Sequence, residues 1–305
     1  MRFIANEDQA AFLSVLDQMI EPHRVWKVSH DWSRHEWSAE LDEALETSDF
    51  YACAAEPSLG LTAAAIMTYR LATLPVLVES AASSTLRALH APDLPRPVAV
   101  IEGELLSVTP YLPLAKSVIW IGEDLVQAAV LPDGAVDPVE SIFAYPMGVL
   151  KAPAMEWKTL ATDPAIARDV WRVALAAEMT GCLKGGLDTV VAHVRDRQQF
   201  GRPLGSFQGI QHRLAVAAVK VEAAYWLTVR AAQHPGTPEP AAALGYVQEA
   251  ATPVVHDLHQ FMGAMGLTLE HPLHRWTYRV RLLKSSLGGG STNMRGVAAK
   301  RWEAA

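Results

Sequence analysis

Apolar positions in the first third of the chain fall at helical spacing. Residues 7–20 (E-D-Q-A-A-F-L-S-V-L-D-Q-M-I) set Phe12, Val15, Leu16 and Ile20 on one face, with Asn6 as cap and Pro22 as stop. Residues 38–47 repeat the pattern on a smaller scale, beginning at Ser38 and carrying Leu41 and Leu45. The small apolar stretch 61–83 predicts buried helix in two pieces, broken at Pro75, because proline lacks a backbone donor and clashes with the preceding turn. Pro92, Pro95 and Pro97 forbid regular helix over 91–97 and mark a linker.

After the linker the period changes. Short β-rich runs at 98–101, 117–121 and 125–131 are separated by Gly103, Pro110, Pro113, Gly122 and Pro132–Asp133–Gly134. They predict a small antiparallel sheet that continues loosely through Phe143–Leu150 to Thr159. From Asp163–Pro164 the helical period returns. One stripe carries Trp171, Leu175, Met179, Cys182, Gly186, Val190 and Val194, and the next Ile210, Leu214, Ala217, Val221 and Ala224. A third carries Leu244, Val247, Ala251, Val254, Leu258 and Met262, with a kink expected at Pro253. A fourth helix over 276–286 and a short fifth after Gly288–Gly290 complete an up-down bundle. The predicted fold is mainly α with a small β domain. It has an N-terminal helical domain over 1–95, a reduced middle β domain over 96–163 and a C-terminal four-helix-bundle domain over 164–305.

Composition narrows the possible partners. Half of the 305 residues are hydrophobic and 19% are charged, as in an ordinary globular protein. The 26 basic and 33 acidic residues give −7 with no basic block, which argues against nucleic acid as the main partner. Cys53 and Cys182 are too few for a disulfide framework and lack metal-ligand spacing. His256 and His259 lie three apart on a helix, but no carboxylate cluster completes a metal face. No apolar run reaches the roughly 18 residues that span a bilayer. The N-terminus has no basic region followed by an apolar core. The expectation is a soluble cytoplasmic protein.

Candidate chemistry concentrates at Arg195–Gln211. Gly201, Pro203 and Gly205 break the helix there, and Ser206 is placed to cap the next one. Arg195, Arg197, Arg202, Gln198, Gln199, Gln208 and Gln211 crowd donors beside a helix start, where anions bind favourably. The stretch R-x-Q-F-G-R-P-L, followed by F-Q-x-I-Q-H-x-L-A, resembles the signature of the acyl-CoA dehydrogenase C-terminal helical domain. So does Q-F-M-G-A-M-G-L-T-L-E-H-P-L-H-R at 260–275, in which Ala264 replaces the second glycine of a Gly-Gly pair. The resemblance covers about 165–300 and implies FAD as cofactor and an acyl-CoA as substrate.

In that family these segments reach across a subunit interface to a flavin seated mainly in the neighbour. The resemblance then implies Arg197 as charge partner of the pyrophosphate, with Gln199 and Phe200 lining the cofactor from the same turn. Gln208 would donate near the flavin or its ribityl chain. Gln260 and Gly263 would let the adenosine end approach the backbone. His193 and His212 flank the same turn and are candidate phosphate contacts.

Two of the family's features are missing. The T-E-P-x-x-G-S-D platform for the flavin ring is absent between 98 and 160, and Trp157–Lys158–Thr159 fits W-x-[ST] in form but lies too near the C-terminal domain. The proton-abstracting glutamate of E-G-T-x-E is replaced by Gly289, and the alternative position falls near Trp171–Arg172. Glu178 lies two turns further on, and Glu270 matches a structural glutamate. No catalytic residue is assigned to this chain. The pattern resembles the short, diverged subunit of α2β2 acyl-CoA dehydrogenases of steroid-degrading bacteria. It implies a full-length acyl-CoA dehydrogenase subunit as partner and a steroid-derived acyl-CoA as substrate. A self-sufficient homo-oligomeric dehydrogenase and a cofactor-free scaffold subunit remain as alternatives.

Overall fold

Helix α1 (Glu7–Ile20) starts at a reciprocal cap: Asn6 accepts the Gln9 amide at 2.7 Å, and the Gln9 side chain accepts the Asn6 amide at 3.2 Å. The computed structural model describes residues 5–26, 33–151 and 155–302. The buried face of α1 is Leu13, Leu16 and Ile20, whereas Val15 is 49% exposed, so the helix is rotated from the expected face. Helices α2 (Ala39–Thr47) and α3 (Gly60–Ala72) follow, with Leu41 and Leu45 fully buried.

The second apolar piece differs from expectation. The chain bends at Pro75, Leu77 bridges to Trp37, and helix resumes only near Ala81. It continues as a π-helical turn (Ser83–Arg87) and α4 (Ala88–His90). The restart is set by Glu79, whose carboxylate accepts the amides of Ala82 at 2.9 Å and Ser83 at 3.2 Å. A glutamate capping its own downstream turn carries no signal in hydrophobic periodicity.

Strands β1 (Val98–Glu102), β2 (Thr109–Pro110), β3 (Ser117–Ile121), β4 (Val126–Val130), β5 (Val136–Val139), β6 (Met147–Leu150) and β7 (Lys158–Thr159) form two sheets. Their orders are β1-β3-β4-β7 and β2-β6-β5. The three long strands match the predicted runs, but the sheet is mixed: β1 and β3 are parallel. The segment between them detours through β2 in the other sheet, which lets β3 re-enter in the same direction. The β3–β4 turn is tight, with the Gly122 amide bonded to the Leu125 carbonyl at 3.0 Å, and this pair is antiparallel.

The remainder is α5 (Pro164–Asp196), α6 (Gln208–Gln233), α7 (Glu239–Met262), α8 (Leu273–Leu283) and α9 (Gly289–Trp302). Asp163 caps α5 through the Ala165 amide at 2.7 Å. With 33 residues, α5 is about 50 Å long and is buried around much of its circumference, making it the axis of the bundle. Every residue of its predicted stripe except Gly186 is a buried apolar side chain. A Cβ on Gly181 would lie 2.2 Å from the Tyr69 carbonyl oxygen, so the α3 backbone packs directly on α5. Helix α7 runs unbroken through Pro253.

Candidate functional site

Helix α5 stops at Arg197, whose amide bonds back to the His193 carbonyl at 2.9 Å. Strands β8 (Gln198–Gln199) and β9 (Arg202–Pro203) then form a hairpin whose loop residues Phe200 and Gly201 have φ of 55° and 79°. Arg202 stacks 4.0 Å over the Phe207 ring, and Phe200 meets the same ring edge-on at 6.1 Å. Even so, Phe200 is 87% exposed. Ser206 does not cap α6: it sits in a 3₁₀ turn and donates to the Pro203 carbonyl at 2.7 Å, leaving Phe207 at the cap.

The second motif is brought to the same end of the bundle. An Arg213–Asp257 ion pair joins the start of α6 to the end of α7, and Arg213 lies 4.7 Å over the Phe261 ring. Gln208 and Gln260 therefore flank one junction, both exposed. Gly263 ends α7 with φ of 66°, and nothing lies within 4 Å of where its Cβ would be. That position demands glycine and leaves the backbone open to close approach. Leu267 beyond it is 76% exposed.

Arg197, Gln199, Phe200, Gln208, Gln260 and Gly263 thus all lie on the outer surface. Amide and guanidinium donors, an exposed aromatic ring and an open glycine fit the outer part of a dinucleotide held from outside. They do not enclose one.

The two positions for a base meet at a residue that sequence reasoning missed. Trp171 is buried, and its indole Nε1 donates to one oxygen of Glu102. The other oxygen of Glu102 accepts the Leu287 amide at 2.9 Å, two residues before Gly289. Glu102 is half-buried, and burial pushes its carboxyl above the usual range, against the pull of these two bonds and of Arg172. Its sequence signal is weak: one acid closing an apolar strand before Gly103. Gly289 has φ of 76°, so a glutamate there would be strained in this backbone. Arg172 is held by Asp169 at 2.7 Å and Asn293 at 3.1 Å.

Glu178 is buried away from this point. It accepts from Tyr145 Oη at 2.9 Å and pairs with Arg279 at 3.2 Å, with Tyr111 at 3.4 Å. It faces its helical neighbour α8 and two tyrosines of the β region. Glu270 is exposed. His259 bonds Thr277 at 3.0 Å. Trp157 packs edge-on against Trp120 at 6.3 Å, and Thr159 lies on edge strand β7 opposite Gln127. Among the described residues no helix is long and apolar enough to cross a membrane.

This helical end carries the segments on which the resemblance rests, and the family model for the acyl-CoA dehydrogenase C-terminal domain matches residues 168–302. Over those residues the chain is similar to that family. Acyl-CoA dehydrogenase IpdE2 of Mycolicibacterium smegmatis is 33% identical over 142 residues, covering 47% of this chain and 45% of the relative. The chain therefore aligns with less than half of that relative's length. The whole acyl-CoA dehydrogenase fold is present nonetheless. A variant of the Tcur3481-Tcur3483 steroid ACAD superposes with a TM-score of 0.80 at 22% identity, covering 99% of both chains. The ChsE4-ChsE5 complex from Mycobacterium tuberculosis gives 0.77 at 18%, covering 98% of both.

Proposed function

We propose that this chain is the short subunit of a hetero-oligomeric, flavin-dependent acyl-CoA dehydrogenase that introduces an α,β double bond into a steroid-derived acyl-CoA. The observation that carries this reading is the outward placement of all six motif residues, with Phe200 87% exposed. Residues that fit a dinucleotide but do not enclose it serve a site completed by another subunit. Exposed Val216, Val219 and Trp226 on α6 extend the apolar surface available to such a partner. Replacing a homotypic interface by a heterotypic one lets one subunit diverge while closed symmetry is kept. The two-protein complexes and the steroid ACAD among the structural neighbours support a full-length acyl-CoA dehydrogenase partner in an α2β2 assembly, and the steroid-derived substrate.

FAD, when bound, supplies the hydride acceptor. Arg197 holds its pyrophosphate, because a planar guanidinium presents paired donors to phosphate oxygens. Gln199 and Gln208 donate from either side of the hairpin, Phe200 covers the cofactor by apolar contact, and Gln260 and Gly263 accommodate the adenosine end. The proton-abstracting carboxylate comes from the partner. Expressed alone the chain is expected to be colourless, and co-expressed with the partner it should purify as a yellow complex. Stoichiometric flavin on the isolated chain would sink this reading.

Glu102 favours a second reading, a chain that supplies its own base. Its carboxylate touches both Trp171 and the Leu287 amide, where the family's two base positions converge. Loss of flavin reduction in a flavin-loaded Glu102→Gln complex would select that reading.

A further inference from the structure

A cleft of about 520 Å³ opens beside Arg197, between the last turns of α5 and the start of α8. His193 and Arg197 line it from α5, His271 from the loop before α8, and Arg24 from the segment after α1. Trp276 and Pro75 contribute apolar wall. One carboxylate, Asp196, faces the same space. Arg24 shares its charge with Glu21 at 2.9 Å and Asp17 at 3.8 Å, and Arg275 on α8 is taken by Glu36 at 2.7 Å. Arg197 is bonded only through its backbone among the described residues.

Both imidazoles are held below the usual histidine range. His271 Nδ1 accepts the Leu273 amide at 3.2 Å, which leaves Nε2 to carry the proton and donate. Burial, with His193 and His274 adding repulsion, lowers its pKa to about 4. Burial and Arg197 lower His193, with Asp196 opposing. The carbonyl end of α5 also points its negative dipole at this region, so an anion here needs more positive charge than Arg197 alone supplies.

We propose that this cleft binds a diphosphate, the group common to FAD and CoA, and that His193 and His271 hold it together with Arg197 and take up protons as it binds. The proposal rests on the assignment of Arg197 to a diphosphate and adds the two imidazoles to the site. A nearby anion replaces repulsion among the cations with attraction, which favours imidazolium. Affinity must then rise as pH falls, by up to about tenfold per pH unit for each proton taken up.

The test is calorimetric binding of ADP to the purified chain, and to its copurified complex stripped of flavin, from pH 6 to 8 in two buffers of different ionisation enthalpy. Proton uptake and tighter binding at pH 6 are expected. His193→Asn and His271→Gln should each flatten the pH slope, and Arg197→Ala should weaken binding at every pH. The Gln side chain can still accept the Leu273 amide, and thermal unfolding checks each variant's fold, with His271→Asn as the substitute if Gln fails. Competition by FAD or by CoA identifies which of the two delivers the diphosphate, and either supports the cleft. No ADP binding, pH-independent binding, or histidine variants with the wild-type slope would overturn the proposal. If only the histidine variants are silent, Arg197 keeps its assigned role without them. If Arg197→Ala also leaves ADP and flavin binding unchanged, that assignment fails too.

Discussion

The indole of Trp171 donates its hydrogen bond to the carboxylate of Glu102. A residue at the head of the bundle is thereby tied to the end of the first strand, and Glu102 extends the tie to the Leu287 amide at 2.9 Å. Three segments distant in sequence meet at one carboxylate. If the partner supplies the base, Glu102→Gln should leave single-turnover reduction of bound flavin within about tenfold, below the roughly 10²–10⁴-fold that general-base catalysis contributes. Stopped-flow absorbance of the flavin-loaded complex measures this. A larger loss in a properly assembled complex moves the base to this chain.

Arg197→Ala removes a charge-assisted contact to a phosphate, worth roughly 1.5–3 kcal/mol, or about ten- to a hundredfold in flavin affinity. Arg197→Lys should recover part of that, since the paired donor geometry is lost. Subunit assembly, followed by gel filtration, should be unchanged. Flavin release from the alanine variant at the wild-type rate and equilibrium would return Arg197 to plain surface.

Glu178 and Arg279 form a buried pair, 3.2 Å apart, with side chains 7% and 4% exposed. Removing one charge strands the other, at a cost of about 3–5 kcal/mol. Glu178→Gln should therefore lower the urea midpoint strongly, and the double variant Glu178→Gln/Arg279→Met should recover part of the loss. A double variant no better than the single one would mean that hydrogen bonds to Tyr145, not charge, set the cost.

Two helical glycines should respond in opposite directions to alanine. Alanine is intrinsically the better helix former by about 1 kcal/mol. At Gly209 on α6 nothing lies within 4 Å of the added carbon, so Gly209→Ala should stabilise by up to that amount. At Gly181 the added carbon meets the Tyr69 carbonyl oxygen at 2.2 Å, and backbone there cannot swing aside. Gly181→Ala should destabilise by about 1–3 kcal/mol despite its propensity. Chemical denaturation of the two variants side by side decides it, and equal signs would refute the packing argument.

The order of helices, β strands and helices was legible in the residues because period, proline and glycine act locally. Asn6, Asp163 and the three apolar runs that became β1, β3 and β4 needed nothing from the rest of the chain. The two C-terminal motifs were legible for a different reason: they match a family's words, and the family model covers 168–302. Tertiary structure alone decided the rest. It made β1 and β3 parallel, because a detour through a second sheet cannot be read from strand propensity. It restarted a helix at Glu79, left Ser206 uncoupled from α6, and turned α1 so that Leu13 rather than Val15 is buried. It also gathered Glu102, Trp171 and Leu287, and set His193 and His271 beside Arg197. Local pattern records which residues can form an element. Only packing, where each side chain's neighbours come from distant parts of the chain, records which polar groups must find one another once water is gone.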